Sequence, residues 1–252
     1  MKKILALLLV AVMLMVSACG NVETTGGQPT ATPGATATPE PTATPAPSAD
    51  SISVTVRVNG ADGSFAIANV AIDVTDVDQD GKYTIADALY CAHASQYKGD
   101  GLGFATADTE YGLSLTMLWG DTSGAVGYYL NNVSSMSLSD EVKEGDLVVA
   151  YIYRDQVMWS DSYTSFDVNY SSVAVGEAVT LTLMGQGYDA NFNVVTAPIS
   201  GAVITVNGQA TEYVTGEDGT VTVSFDAAGT YSVAVETEGN YYVAALCIVE
   251  VK

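Results

Sequence analysis

The sequence predicts an α+β module, one helix packed on a mostly antiparallel sheet, followed by an all-β sandwich. Three observations carry that expectation. Apolar residues alternate with polar ones from Ser51 onward, the period of a half-buried strand. One tract, residues 84–95, breaks the alternation and sets Ile85, Ala88, Leu89 and Ala92 at helical spacing. Beyond residue 172 there are only short alternating runs, punctuated by Asn207-Gly208, Asp218-Gly219 and Gly229.

Charge narrows the function classes before any motif is read. The 252 residues hold 29 Asp+Glu against 8 Lys+Arg, a net charge of −21. Phosphate backbones need basic partners, so nucleic acid is not expected as a partner. Direct electrostatic binding to anionic lipid is disfavoured too, whereas an acidic chain suits a secreted setting where carboxylates meet calcium. One histidine and three cysteines leave little for a zinc site or a Ser-His-Asp triad. The expectation is a non-enzymatic binding or structural protein.

In chain order, residues 1–18 read as an export signal. Lys2 and Lys3 precede an apolar run from Ile4 to Val16, too short for a membrane-spanning helix of about 20 residues. Val16-Ser17-Ala18-Cys19 follows, and it resembles a bacterial lipobox. The resemblance implies diacylglyceryl attachment at Cys19, cleavage just before it, and a lipid anchor on the extracytoplasmic face of the cell membrane. The alternative is an ordinary secretory signal ending near Ala18. Loss of Lys2 and Lys3 takes the net charge from −21 to −23. Residues 19–50 read as a disordered Thr/Pro/Ala linker holding six of the seven prolines. Such a stretch extends at about 3.1 Å per residue and holds the folded part away from the surface.

The α+β module spans 51–168. Ile52, Val54, Val56 and Val58 form the first strand pattern, Asn59-Gly60 a turn, and Val70, Ile72 and Val74 the second. The helical tract comes next, and alternation resumes in 113–118, 125–130 and 147–153.

Between the second strand and the helix lies Asp76-Val-Asp78-Gln-Asp80-Gly81-Lys82-Tyr-Thr84-Ile-Ala-Asp87. A twelve-residue calcium loop draws oxygen ligands from positions 1, 3, 5, 7, 9 and 12, with glycine at 6. Asp76, Asp78 and Asp80 fall at 1, 3 and 5, and Gly81 at 6. Lys82 at 7 offers its carbonyl, Thr84 stands at 9, and Asp87 closes the loop. Asp rather than Glu at the last position resembles the loops of dockerin-type F-hands. A dockerin has two such loops, and here there is one. Two plainer readings stay open: Asp80-Gly81 as a hairpin turn, and Asp87 as the acidic member of a capping box opened by Thr84.

The order of Thr84 to Leu89, Gly112 to Trp119, Gly127 to Asn131 and Val142 to Leu147 resembles bacterial domains related to the C-terminal domain of transcobalamin. That resemblance implies a corrinoid-capture role as an alternative function. Asn131-Asn132 departs from the Asn-Gly of that pattern, and the helical partner domain of the vertebrate transporters has no counterpart. Tyr128, Tyr129, Tyr151, Tyr153, Trp119 and Trp159 are candidates for a sugar- or ring-binding surface, with strand packing the plainer reading. Cys91 and Cys247 are expected as free buried thiols and His93 as a satisfied or surface histidine. The pairs Glu141/Glu144 and Asp155/Asp161 are expected as solvated carboxylates.

The sandwich spans 172–252, with strand candidates at 179–183, 203–206, 221–225 and 231–235 and a last one from Val243 to Val251. Its tract TGEDGTVTVSFDAAGTYSVAVE resembles bacterial immunoglobulin-like domains, where an Asp-Gly hairpin opens one strand and a Gly-Thr-Tyr turn the next. Together these readings predict a calcium-binding surface lipoprotein that acts in adhesion or in binding a glycan, protein or small-molecule ligand.

Overall fold

The computed structural model describes residues 50–191 and 193–252. The expected signal segment, the linker up to residue 49 and the lipidation site Cys19 lie outside the described residues. Among these residues, no helix is long and apolar enough to cross a membrane.

The chain begins with a long hairpin, β1 (Ser51–Asn59) and β2 (Phe65–Thr75). They pair antiparallel, and a bulge between Val56 and Val58 lets Asn69 take a φ of 51°. Helix α1 (Ile85–Gln96) follows, and Ile85, Ala88, Leu89 and Ala92 are all fully buried. The next hairpin is β3 (Phe104–Thr109) with β4 (Gly112–Leu118). Then come β5 (Val126–Leu130), β6 (Val133–Ser134) and β7 (Leu147–Ile152). The first sheet runs β2-β1-β7-β5-β6, and the β1–β7 pair alone among its neighbours is parallel.

One face of this sheet is covered by α1 and the β3–β4 hairpin, through Val54, Val56, Ile72, Leu89, Leu118, Val148 and Ala150. The expectation of half-buried strands needs correcting on the other face. All six residues of β7 are buried. Val148, Ala150 and Ile152 face the helix, while Leu147, Val149 and Tyr151 meet Tyr163 and Val243 from later in the chain. Arg57, a polar position of the half-exposed strand pattern, is buried for the same reason, and Asn59, expected in a turn with Gly60, is the buried last residue of β1.

The remaining strands are β8 (Ser162–Phe166), β9 (Tyr170–Val173), β10 (Ala178–Tyr188), β11 (Val194–Pro198) and β12 (Val203–Val206). After them come β13 (Gln209–Val214), β14 (Thr220–Ser224), β15 (Gly229–Val235), β16 (Tyr242–Val243) and β17 (Leu246–Val251). They make two sheets, β11-β10-β8-β16 with β14 on β10, and β13-β12-β15-β17-β9. Their inner faces share a core of Phe166, Leu181, Leu183, Val223, Ile204, Val233, Cys247 and Val249, a two-sheet sandwich.

Two features depart from the sequence reading. β8 precedes the expected division at 168–172, yet its partners are β10 and β16. The last expected strand, Val243 to Val251, is two: β16 joins one sheet and β17 the other. Ala244 and Ala245, both buried, carry the chain across.

Candidate functional site

The acidic loop leaves β2 at Thr75 and enters α1 at Ile85. Carboxylate oxygens of Asp76, Asp78 and Asp80 lie within 4.8 Å of one another. Backbone geometry sets this up. Both oxygens of Asp76 accept N–H groups, from Asp80 at 3.1 Å and Gly81 at 2.8 Å, and Asp78 Oδ1 accepts from Asp80 N–H at 3.3 Å. Gln79 and Gly81 have positive φ, 62° and 87°, which tightens the turn. Asp78 is held above the usual carboxylate range by lost hydration, by the charges of Asp80 and Asp87, and by its contact with Asp76.

The other expected ligands are placed differently. Lys82 turns its side chain out to Glu141, 2.7 Å away, so only its carbonyl is left to the loop. Thr84 and Asp87 form a reciprocal capping box. Asp87 Oδ2 accepts from Thr84 N–H at 2.9 Å and from its hydroxyl at 2.6 Å, and Thr84 Oγ1 accepts from Asp87 N–H at 3.3 Å. Asp87 Oδ1 accepts from Val77 N–H at 3.0 Å, which ties the helix start to the loop. The structure therefore brings Asp76, Asp78 and Asp80 together and sets Thr84 and Asp87 at the helix end. Three hard oxygen donors on one turn fit a hard cation; Asp87 reaches such an ion only with the lone pairs its N–H partners leave.

His93 lies fully inside. Its Nδ1 is 2.6 Å from Leu89 O and its Nε2 accepts Trp119 N–H at 3.0 Å, so the ring is the neutral Nδ1–H tautomer. Burial lowers its pKa, partly offset by the Leu89 carbonyl. Cys91 and Cys247 are free thiols, and burial pushes Cys247 up to about 12. Of the expected acidic pairs, Asp155 and Asp161 are not merely solvated. Asp155 accepts from Val157 and Met158 N–H and Asp161 from Arg154 and Asp155 N–H, which folds the loop between β7 and β8.

The six aromatic candidates divide by face. Tyr128 and Trp119 pack against the helix-side core. Tyr129, Tyr151, Tyr153 and Trp159 gather on the opposite face around a cleft that Tyr163 and Tyr188 also line. Those last two sit on strands of the later sheet, so no local pattern in the sequence joins them to the others.

Comparison with known proteins adds little. No family model matches the chain, and no curated protein matches it. Among solved structures, the N-terminal four Ig domains of Dscam1 isoform 4.44 align over 58% of this chain and 32% of that one, at 13% identity and TM-score 0.23. The same four domains of isoform 7.44 align over 81% and 46%, at 11% identity and TM-score 0.23. This chain thus spans less than half of those structures. Likeness at that level carries no argument, and the architecture rests on the strand pairing above.

Proposed function

We propose that this chain is a calcium-binding, non-catalytic surface lipoprotein that presents its β-rich body as a ligand-binding or adhesive module. The convergence of Asp76, Asp78 and Asp80 carries the calcium reading. Three carboxylates held that close repel, and a divalent cation relieves the repulsion. Asp87 links the loop to α1, so an ion bound there also steadies the helix that covers the first sheet. The single histidine, with both ring nitrogens engaged, supports binding over catalysis. The anchor at Cys19 rests on the lipobox resemblance, and the immunoglobulin-like reading of the sandwich on its turn motifs. The corrinoid alternative has less support: the cleft of about 320 Å³ near Asp62 and Glu236 is small for that macrocycle and carries two acids.

Calorimetric titration of the full chain with calcium and with magnesium tests the metal reading. Saturable calcium binding with a raised melting temperature is expected. Magnesium should substitute poorly, because it demands compact octahedral geometry and holds its water. Absence of both calcium heat and thermal shift overturns the reading and leaves the loop as a turn and helix cap.

A further inference from the structure

A row of aromatic rings crosses the face of the first sheet that is turned away from the helix. The Tyr151 centroid lies 6.2 Å from that of Tyr129 and 4.9 Å from that of Tyr153, and Tyr153 lies 5.3 Å from Trp159. Their planes tilt by 38°, 58° and 33° from one ring to the next. Rings tilted this way make walls rather than a flat platform. With Asp161 and Tyr188 they enclose a cleft of about 90 Å³.

Trp159 lines the cleft from a backbone that carries a conformational cost. Trp159 has a φ of +54°, an unfavourable backbone for a bulky residue. Asp155 maintains it: its carboxylate takes the Val157 and Met158 N–H groups and the Ser160 hydroxyl, and its carbonyl takes Trp159 N–H. The indole N–H is tied to the Gln156 carbonyl, and the residue stays 57% exposed. A tryptophan fixed in a strained turn and left more than half in water is poorly explained by core packing.

The charge around the cleft has one sign at this end. Asp161 accepts backbone N–H groups only, and among the described residues it has no ion-pair partner. Arg154, close in sequence, spends its guanidinium on the carbonyls of Thr237 and Asn240. Arg57 touches the row at its opposite end, through the Tyr163 hydroxyl. Burial holds the Tyr129 and Tyr151 hydroxyls well above their ordinary pKa, so the rings are neutral.

We propose that this cleft binds a small organic cation of the quaternary-ammonium type, its methyl groups against the rings of Tyr153 and Trp159, beside the buried Tyr151, and its charge balanced by Asp161. A ring face attracts a cation through its quadrupole, and several faces around one carboxylate are the general solution for a charge that cannot donate hydrogen bonds. A pyranose is bulky for this volume and prefers a flat aromatic platform. An anion meets Asp161 and a net charge of −21. The site is separate from the acidic loop and does not depend on metal there.

The test is calorimetric titration of the full chain with choline, beside 3,3-dimethylbutan-1-ol, its uncharged isostere, and methyl glucoside. Choline should bind saturably, the alcohol at least tenfold more weakly, and the glucoside not at all. Trp159→Leu and Tyr153→Leu should each weaken choline at least tenfold, and Asp161→Asn severalfold. Tyr111→Ala, at an exposed aromatic on the β3–β4 turn, should change nothing. Melting temperatures confirm that each variant is folded, and the choline-to-alcohol comparison in the unaltered protein stands without them. No choline binding, equal binding of the alcohol, or binding of the glucoside in its place overturns the proposal.

Discussion

The rings of Tyr129 and Tyr163 are stacked, with centroids 3.7 Å apart and planes 12° from parallel. Tyr129 belongs to β5 of the first sheet and Tyr163 to β8 of the sandwich. The stack, with Val149, Tyr151 and Val243, is one apolar contact through which the two halves close on each other; Phe65 of β2 against the sandwich core is another. The polar residues caught in that closure give the first expectation.

Arg57 is fully buried beside the stack. Its Nη2 donates to the Tyr163 hydroxyl at 3.3 Å, and its Nε and Nη1 have no hydrogen-bond partner. The Tyr163 hydroxyl in turn donates to Asn132 Oδ1 at 2.8 Å. Desolvation lowers the Arg57 pKa. A buried charge without a carboxylate is a liability, and an apolar residue of similar volume often raises stability by about 1–4 kcal/mol. Arg57→Met should therefore raise the urea midpoint, while Tyr163→Phe, which strips the guanidinium of its partner, should lower stability by about 1–3 kcal/mol. A fall in midpoint for Arg57→Met would show that the charge is compensated.

His93 predicts a pH dependence. Its folded pKa lies below the ordinary value of 6.5 because the ring is buried and Nε2 already accepts Trp119 N–H. As pH falls through 6.5, the unfolded chain takes up a proton that the folded chain resists. Stability is full above that pH and declines as pH drops toward the folded value. The chain has one histidine, so subtracting the profile of His93→Gln isolates its contribution. Identical slopes between pH 7 and 5 in the two proteins would refute this.

Gly127 predicts a steric effect on the aromatic row. It pairs with Tyr151 across β5 and β7, and a Cβ there would stand 2.4 Å from the Tyr151 ring. Gly127→Ala must displace the ring, at about 1–3 kcal/mol of overpacking. Choline affinity should fall with it. An alanine variant with unchanged melting and unchanged near-ultraviolet circular dichroism would show that the ring yields freely.

Asp78→Ala should abolish most of the calcium-induced rise in melting temperature. At about 100-fold excess over Kd that rise corresponds to roughly 2.7 kcal/mol. Asp218→Ala is the control, since Asp218 accepts only from Thr220 within its own turn. Equal calcium responses in the two variants would place the ion elsewhere.

How much of this was legible in the sequence follows from range. The helix, its Thr84–Asp87 cap and the turn that gathers Asp76, Asp78 and Asp80 are all set by neighbours within about twelve positions, whereas Thr84 and Asp87 serve the cap rather than that turn. β3 has no counterpart among the expected strands because FATADT carries one large apolar residue and reads as loop until β4 pairs with it. β7 reads as half-exposed because the layer that buries its second face comes from Tyr163 and Val243. The break between β16 and β17 has the same cause: Ala244-Ala245 continues an apolar run, and only the pairing of each side with a different sheet divides it. The ligand cleft was half visible, as aromatics near 129, 151 and 159, without Tyr188 and without any sign of which face they share.

The parallel pairing of β1 with β7 has a mechanical consequence. The chain enters β1 at Ser51, and β7 runs the same way and leads straight to the loop that carries Trp159. A pull between Ser51 and a ligand held at that loop drags the two strands in opposite directions along their length. The register from Thr55 opposite Leu147 to Asn59 opposite Tyr151 then takes the load in shear, its hydrogen bonds strained together rather than unzipped one at a time. A tether and a grip at these two points would place this shear-loaded ladder directly in the line of tension.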